Sequence, residues 1–114
     1  MLFLSATAGV YFVPMVVTFV ARLTAQQTFE PGAKDSPHHH AGPAFGYVLE
    51  GEYEHAINDE PIKSYKAGDT FYEPSGCVHR VARNPSKTAK TRLLAVILHP
   101  RDAKEVTVPE KGKE

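Results

Sequence analysis

Proline and glycine interrupt this chain at short intervals after Arg22, and this limits the length of any regular element. The 114 residues contain nine prolines and eight glycines, with turn-forming sequences at Pro31-Gly32, Ala67-Gly68-Asp69 and Pro74-Ser75-Gly76. Between these turns apolar and polar side chains alternate, as they do in strands with one buried face. Short strands at this spacing are typical of a sandwich or barrel.

The alternation predicts strands at residues 23–29, 62–65, 70–73, 77–83 and 91–98. Residues 45–57 form either one long strand or two strands joined at Gly51, and residues 105–108 can add an edge strand. We therefore predict an all-β domain over residues 22–100, followed by a charged arm over residues 101–114. A chain of this length has room for one small domain.

The first 21 residues contain no charged side chain and are open to several interpretations. They are long enough to cross a bilayer or to form the apolar part of a signal peptide. However, no lysine or arginine precedes the apolar run, and Pro14 interrupts it. Residues 16–20 could instead form a buried strand, or a strand exchanged between subunits. We favour a cytoplasmic location, with secretion or membrane anchoring through residues 1–21 as the alternative.

The charge balance bears on possible binding partners, and the cysteine content bears on possible disulfides. Thirteen basic residues match thirteen acidic residues, so there is no electrostatic basis for binding nucleic acid. Cys77 is the sole cysteine, which excludes an internal disulfide.

Three consecutive histidines follow a predicted turn at residues 38–40. On an extended backbone His38 and His40 project to one face and His39 to the other, so the first two can reach one metal ion. A third ligand has to come from another strand, and His79 begins such a strand. His38, His40 and His79 are therefore the candidate metal ligands, although three adjacent histidines could also be an exposed chance run.

Two spaced motifs make the chain similar to the cupin superfamily. The first cupin motif is Gly, five residues, His-x-His, three or four residues, Glu, six residues and Gly. The chain has Gly32, five residues, His38-His39-His40, three residues, Ala44, six residues and Gly51. The second motif is Gly, five residues, Pro-x-Gly, two residues, His, three residues and Asn. The chain has Gly68, five residues, Pro74-Ser75-Gly76, two residues, His79 and, one place later than usual, Asn84.

This resemblance implies a double-stranded β-helix, or jelly roll, with one divalent transition metal (Fe, Mn, Ni or Zn) on the three histidines. Ala44 stands where similar cupins carry a glutamate ligand. Three-histidine sites occur among cupin dioxygenases, so the departure predicts weaker metal binding with positions open for a substrate or water. The small side chains of Ala44 and Gly46 share one face with Val48 and predict a pocket beside the metal.

Glu73 and His55 are the candidate catalytic residues. Glu73 precedes the Pro74 turn, where many cupins carry an apolar residue. If it faces inward, it could be a fourth ligand or a general base, and if it faces outward it would be a solvated edge residue. His55 has the same phase as Tyr53 and Ile57, which predicts an inward orientation as a hydrogen-bonded core residue or a catalytic group.

By resemblance, we expect a metal-dependent oxidoreductase similar to quercetinase or to diketone-cleaving dioxygenases. Its substrate would be a small oxygen-bearing organic molecule, and the metal could alternatively act as a Lewis acid in isomerisation or cyclisation. The competing hypothesis is a module that binds a small molecule without turnover. We also expect a homodimer, because pairing covers open sheet edges.

Overall fold

In the computed structural model, residues 20–111 are described, and they form two antiparallel β-sheets. The strands of this part of the chain are β1 (Val20–Phe29), β2 (His38–His40), β3 (Ala44–Glu50), β4 (Glu52–Ile57), β5 (Lys63–Lys66), β6 (Thr70–Glu73), β7 (His79–Arg83), β8 (Thr91–Pro100) and β9 (Thr107–Pro109). The all-β prediction is confirmed. Residues 20–111 contain no helix with the length and apolar character needed to span a membrane.

The two sheets bring distant parts of the chain together. The four-stranded sheet has the order β1-β8-β3-β6, and the five-stranded sheet has the order β5-β4-β7-β2-β9. Strand β1 pairs with β8 along its whole length, from Val20 opposite Pro100 to Phe29 opposite Thr91. In the second sheet β2 lies between β7 and β9, so the histidine triplet has a strand on each side.

The predicted strands are present, with boundaries that differ by a few residues. Gly51 divides the segment 45–57 into β3 and β4, which decides between the two interpretations of that segment. Its φ angle is +80°, and a Cβ atom there would lie 2.2 Å from the carbonyl oxygen of Lys90, so a larger residue would clash with the backbone. The interpretations of residues 1–21 fall almost wholly outside the described residues.

Strand alternation places the core between the sheets. On β3, Ala44, Gly46 and Val48 face inward, while Phe45 and Tyr47 are exposed. The main apolar cluster consists of Phe29, Val48, Tyr53, Phe71, Ala82 and Leu93, which come from both sheets. These side chains exclude water from the interior, and their apolar burial stabilises the fold.

Asn84, the last residue of the second motif, is buried with its polar atoms satisfied. Its Nδ2 donates to the carbonyl oxygens of Ala89 at 2.7 Å, Glu30 at 3.2 Å and Phe29 at 3.3 Å. Its Oδ1 accepts a hydrogen bond of 2.9 Å from the backbone N–H of Ser86. The side chain therefore joins the end of β1 to the loop before β8, and its role is structural.

Candidate metal centre

Two neighbouring strands bring His38, His40 and His79 together. His38 on β2 lies opposite His79 on β7 in the sheet register, and His40 follows on the same face of β2. The ring centroids of His38 lie 4.9 Å from His40 and 4.8 Å from His79. Potential ligand atoms of the three residues all lie within 4.8 Å of one another, close enough to surround a single ion.

Hydrogen bonds orient two of these imidazoles. Nδ1 of His38 lies 2.8 Å from the carbonyl oxygen of Ser36, and because a carbonyl can only accept, Nδ1 carries the proton. Nδ1 of His40 lies 3.0 Å from the hydroxyl of Thr107 on β9. The Nε2 atoms of both rings thus remain available as ligands, held in place by neighbours as in many metal sites.

The ionisation of the site favours metal binding. Burial lowers the pKa of His40, so its ring is neutral at neutral pH and keeps a lone pair for a metal. His79 has its Nε2 3.3 Å from the hydroxyl of Tyr53. Burial raises the pKa of that hydroxyl well above its ordinary value, so Tyr53 stays protonated beside the imidazole.

Glu73 on β6 faces His40, His55 and His79 and is 4% exposed. Its Oε1 lies 3.1 Å from Nδ1 of His79 and 3.8 Å from Nε2 of His40. Burial acts to raise the pKa of Glu73, but the nearby imidazoles of His55 and His79 act more strongly in the opposite direction and lower it to about 2. The side chain is therefore a carboxylate at neutral pH.

His55 lies behind Glu73, deep in the barrel. It is 4% exposed, and its ring packs against Phe71 and His79 with centroid distances of 4.7 Å and 4.5 Å. Its Nε2 lies 3.7 Å from Oε2 of Glu73. The inward orientation predicted for His55 and Tyr53 is confirmed, and His55, Glu73 and His79 form a second group with ligand atoms in reach of one another.

Three buried polar atoms in this cluster have no hydrogen-bond partner of acceptable geometry among the described residues: Nε2 of His55, Oε1 of Glu73 and Nδ1 of His79. Although Oε1 of Glu73 and Nδ1 of His79 are close, the contact lacks the angles of a hydrogen bond. Leaving such an atom unsatisfied costs about 1–3 kcal/mol. A divalent cation is the kind of ligand that imidazole nitrogens and a carboxylate oxygen would satisfy together, so the donor set fits a metal.

A cavity of about 460 Å³ opens beside the cluster, lined by His38, His40 and His79 and by apolar residues that include Ala44, Leu93 and Ile97. Ala44 contributes to this space as predicted. Gly46 does not, because the ring of Phe71 lies over it, 2.0 Å from where a Cβ atom would stand. The cavity can therefore hold a small molecule next to the histidines, with an apolar wall on the opposite side.

The other two histidines, His39 and His99, lie away from this centre, and Cys77 does not line its cavity. Nδ1 of His39 lies 2.5 Å from Oε1 of Glu110, on the opposite face of β2, and Nδ1 of His99 is bonded to the carbonyl of Pro100. Cys77 is buried, and burial raises the pKa of its thiol, so it is not an activated nucleophile.

The structure also assigns neighbours to the site that the sequence did not single out. Thr107 reaches it because β9 pairs with β2, a pairing between positions almost seventy residues apart that no local pattern indicates. Tyr53 shares the inward phase of His55, and this was the available signal for its place beside His79.

The fold and this cluster define a small β-barrel protein with a candidate metal centre. Residues 25–97 match the cupin domain family, and the chain belongs to that family. The resemblance carried by the two motifs is thereby confirmed. Among curated proteins, none matches the chain in sequence.

Several solved structures are similar to this chain. A predicted oxalate decarboxylase from Thermotoga maritima is 30% identical over 75% of this chain and 71% of its own, with a TM-score of 0.62. A protein with a double-stranded β-helix domain from Klebsiella pneumoniae is 22% identical over 78% of this chain and 76% of its own, with a TM-score of 0.63. An oxalate oxidase is 25% identical over 77% of this chain, which spans 45% of the oxidase, with a TM-score of 0.62.

Proposed function

We propose that the chain is a metal-dependent enzyme that acts on a small oxygen-bearing organic molecule at His38, His40 and His79. The observation that carries this proposal is the convergence of the three imidazoles beside a cavity of about 460 Å³. A purely structural role for these histidines is disfavoured, because His79 and its neighbours His55 and Glu73 each leave a buried polar atom without a partner among the described residues, which is rare in natural cores.

A divalent metal held there would act as a Lewis acid and, if redox-active, would support reaction of the substrate with dioxygen. The protein residues supply the rest. Ser36 and Thr107 orient the imidazoles, and Glu73 places a carboxylate on the wall of the cavity. The apolar wall at Ala44 and Ile97 excludes water from one side of the substrate.

The substrate class follows from the cavity and the relatives. A small anion with oxygen ligands matches a dication held by neutral imidazoles, and an oxalate oxidase and a predicted oxalate decarboxylase are among the similar structures. We therefore propose a carboxylate, an enolate or a phenolate as the binding form of the substrate. In a dioxygenase reaction both atoms of O₂ would enter that substrate, and no external reductant would be consumed.

The test begins with elemental analysis of protein purified without a histidine tag. We expect about one transition metal per chain, and loss of that metal in His38→Ala and His79→Ala. His39→Ala is the matched control, because its ring belongs to the same triplet but faces the opposite side of β2. Equal loss in all three variants would indicate nonspecific binding by a histidine-rich surface and would contradict the proposal.

Oxygen uptake then distinguishes the forms of chemistry. The metal-loaded protein is supplied with oxalate, phenols and diketones while O₂ and CO₂ are measured. Uptake of O₂ supports a dioxygenase or oxidase, whereas CO₂ release without uptake supports decarboxylation. A loaded protein that binds one of these compounds and turns over none would instead support the binding-module alternative.

A further inference from the structure

We propose that Glu73 supplies, from strand β6, the carboxylate ligand that Ala44 lacks on strand β3, and that His55 is the positioning residue for its second oxygen. This inference rests on the proposed metal site at His38, His40 and His79. It assigns a fourth ligand from a different strand and a different motif than the resemblance implies.

The sheet register makes the exchange of positions possible. Ala44 and Glu73 are directly opposite each other in the antiparallel pair β3–β6, and both side chains are buried, with 2% and 4% exposure. Directly opposed side chains lie on the same face with their Cβ atoms about 4.5–5.5 Å apart. A carboxylate on residue 73 can therefore reach the same part of the interior as a carboxylate on residue 44. The methyl group of Ala44 leaves room for it.

The two oxygens of Glu73 face different neighbours. Oε1 points to the metal-binding histidines, 3.1 Å from Nδ1 of His79 and 3.8 Å from Nε2 of His40, and it has no hydrogen-bond partner among the described residues. Oε2 points to His55, whose Nε2 is 3.7 Å away and equally unsatisfied. Oε1 is thus the oxygen near the proposed ligands His79 and His40, and Oε2 is the oxygen near His55.

His55 is placed to fix the orientation of this carboxylate. Its ring is held between Phe71, Tyr65 and His79, at centroid distances of 4.7, 5.9 and 4.5 Å. A buried imidazole that faces the outer oxygen of a ligating carboxylate restricts its rotation, and such supporting contacts typically change metal affinity by about 10–100-fold. His55 thereby acts through Glu73 and does not itself need to touch the ion.

Charge favours Glu73 over the other acid on the cavity wall. Three neutral imidazoles leave both positive charges of a dication uncompensated, and one carboxylate removes half of that charge. Asp35 also borders the cavity, but its Oδ2 already accepts a hydrogen bond of 2.7 Å from Nε2 of Gln27. Glu73 combines deep burial with an oxygen that has no hydrogen-bond partner among the described residues.

The decisive experiment moves the carboxylate between the paired positions. Affinity for Co²⁺ is measured by competition with a chelator, and the visible absorption of the bound Co²⁺ reports its coordination. We expect Glu73→Ala to weaken binding by at least about tenfold and to change the absorption band. The double variant Ala44→Glu/Glu73→Ala is expected to recover most of that loss, because residue 44 faces the same space.

Further variants separate ligand from support. Glu73→Gln keeps the size of the side chain, so a loss of affinity there is not due to a cavity, and Glu52→Gln on the exposed side of β4 is the control. His55→Gln should weaken binding by about tenfold or less without altering the band pattern, whereas His38→Ala should abolish binding. Melting temperatures in the presence of EDTA show which variants fold.

The results distinguish this inference from the proposed function. If wild-type protein binds no Co²⁺, or if His38→Ala binds it equally well, the metal site itself is disproved. If binding depends on His38 but Glu73→Ala and Glu73→Gln bind within about twofold of wild type, only the role of Glu73 is overturned. A folded double variant no better than Glu73→Ala would likewise overturn it, and a His55→Gln defect as large as that of His38→Ala would make His55 a ligand.

Discussion

Asn84 and Glu73 are both buried polar side chains of one small barrel, but their surroundings differ. The amide of Asn84 makes four hydrogen bonds to backbone groups at the end where β1 meets the loop before β8. The carboxylate of Glu73 lies among imidazoles, and its Oε1 has no hydrogen-bond partner in the described part of the chain. Both residues border the same core, since Asn84 bonds to Phe29 and Glu73 neighbours the Tyr53–His79 contact.

The difference separates groups that stabilise the fold from groups that are kept ready for a ligand. A buried polar atom with its hydrogen bonds made contributes to stability, whereas each buried polar atom left without a partner, such as Oε1 of Glu73, costs free energy. The Asn84 region is complete without any other molecule. The Glu73 region becomes complete only when something else supplies the missing interactions.

The largest effect is expected in the apolar core next to Asn84. Phe29 is 3% exposed and belongs to the main cluster, so Phe29→Ala should destabilise the protein by about 3–5 kcal/mol in urea unfolding. Tyr72→Ala, at a residue 52% exposed, is the aromatic control and should cost less than about 1 kcal/mol. Metal affinity of folded Phe29→Ala should be unchanged, and a parallel loss would mean that core and site are not separable.

The second effect depends on pH and concerns Glu73 in the metal-free protein. Its pKa is lowered from 4.5 to about 2, so the folded state favours the carboxylate, and the resulting stability is present above about pH 4.5 and lost as the pH falls to about 2. At about 1.4 kcal/mol per pKa unit, the contribution is on the order of 3 kcal/mol. Glu73→Gln should therefore show a smaller loss of stability than wild type between these pH values. Equal acid sensitivity of the two proteins would contradict the lowered pKa.

A third, somewhat smaller effect is expected for Asn84 itself. Asn84→Ala removes a donor shared by three carbonyl oxygens and an acceptor for Ser86, which should destabilise the protein by about 2 kcal/mol. The two residues are expected to differ most in the size of the stabilisation that added metal gives to their variants. Added metal should raise the melting temperature of Asn84→Ala as much as that of wild type, and should raise that of Glu73→Gln less.

Much of the fold could be predicted from the sequence because its signals are local. Alternating side chains defined the strands, and turn residues such as Gly51 and Gly68 separated them. The two motifs placed His38, His40 and His79 on strands that converge, although their role as ligands stays a prediction. Gly46 was expected to leave open space beside the metal, but the ring of Phe71 fills that space. Phe71 lies on β6, and the pairing of β6 with β3 could not be predicted from the sequence.

Interactions between distant strands could not be predicted. The orientation of Glu73 was open, because residue 73 ends a strand and could face either side. Its register with Ala44 is what brings it to the histidines. Residues 101–114 were expected to form a charged arm that could add an edge strand, and β9 in this segment does pair with β2. That pairing gives Thr107 a place next to His40, which no spacing within residues 101–114 indicates.

The smallest effect is expected from this contact, and it tests whether the site depends on support as well as on ligands. Thr107→Val keeps the shape of the side chain but removes the hydroxyl that lies 3.0 Å from Nδ1 of His40. Because an imidazole without this partner rotates more freely, metal affinity should fall by about tenfold, or about 1.4 kcal/mol, while urea stability changes little. Thr70→Val, at an exposed residue of β6, is the matched control. If both variants bind metal like wild type, the hydroxyl of Thr107 does not support His40, and the strand alone holds the ring in place.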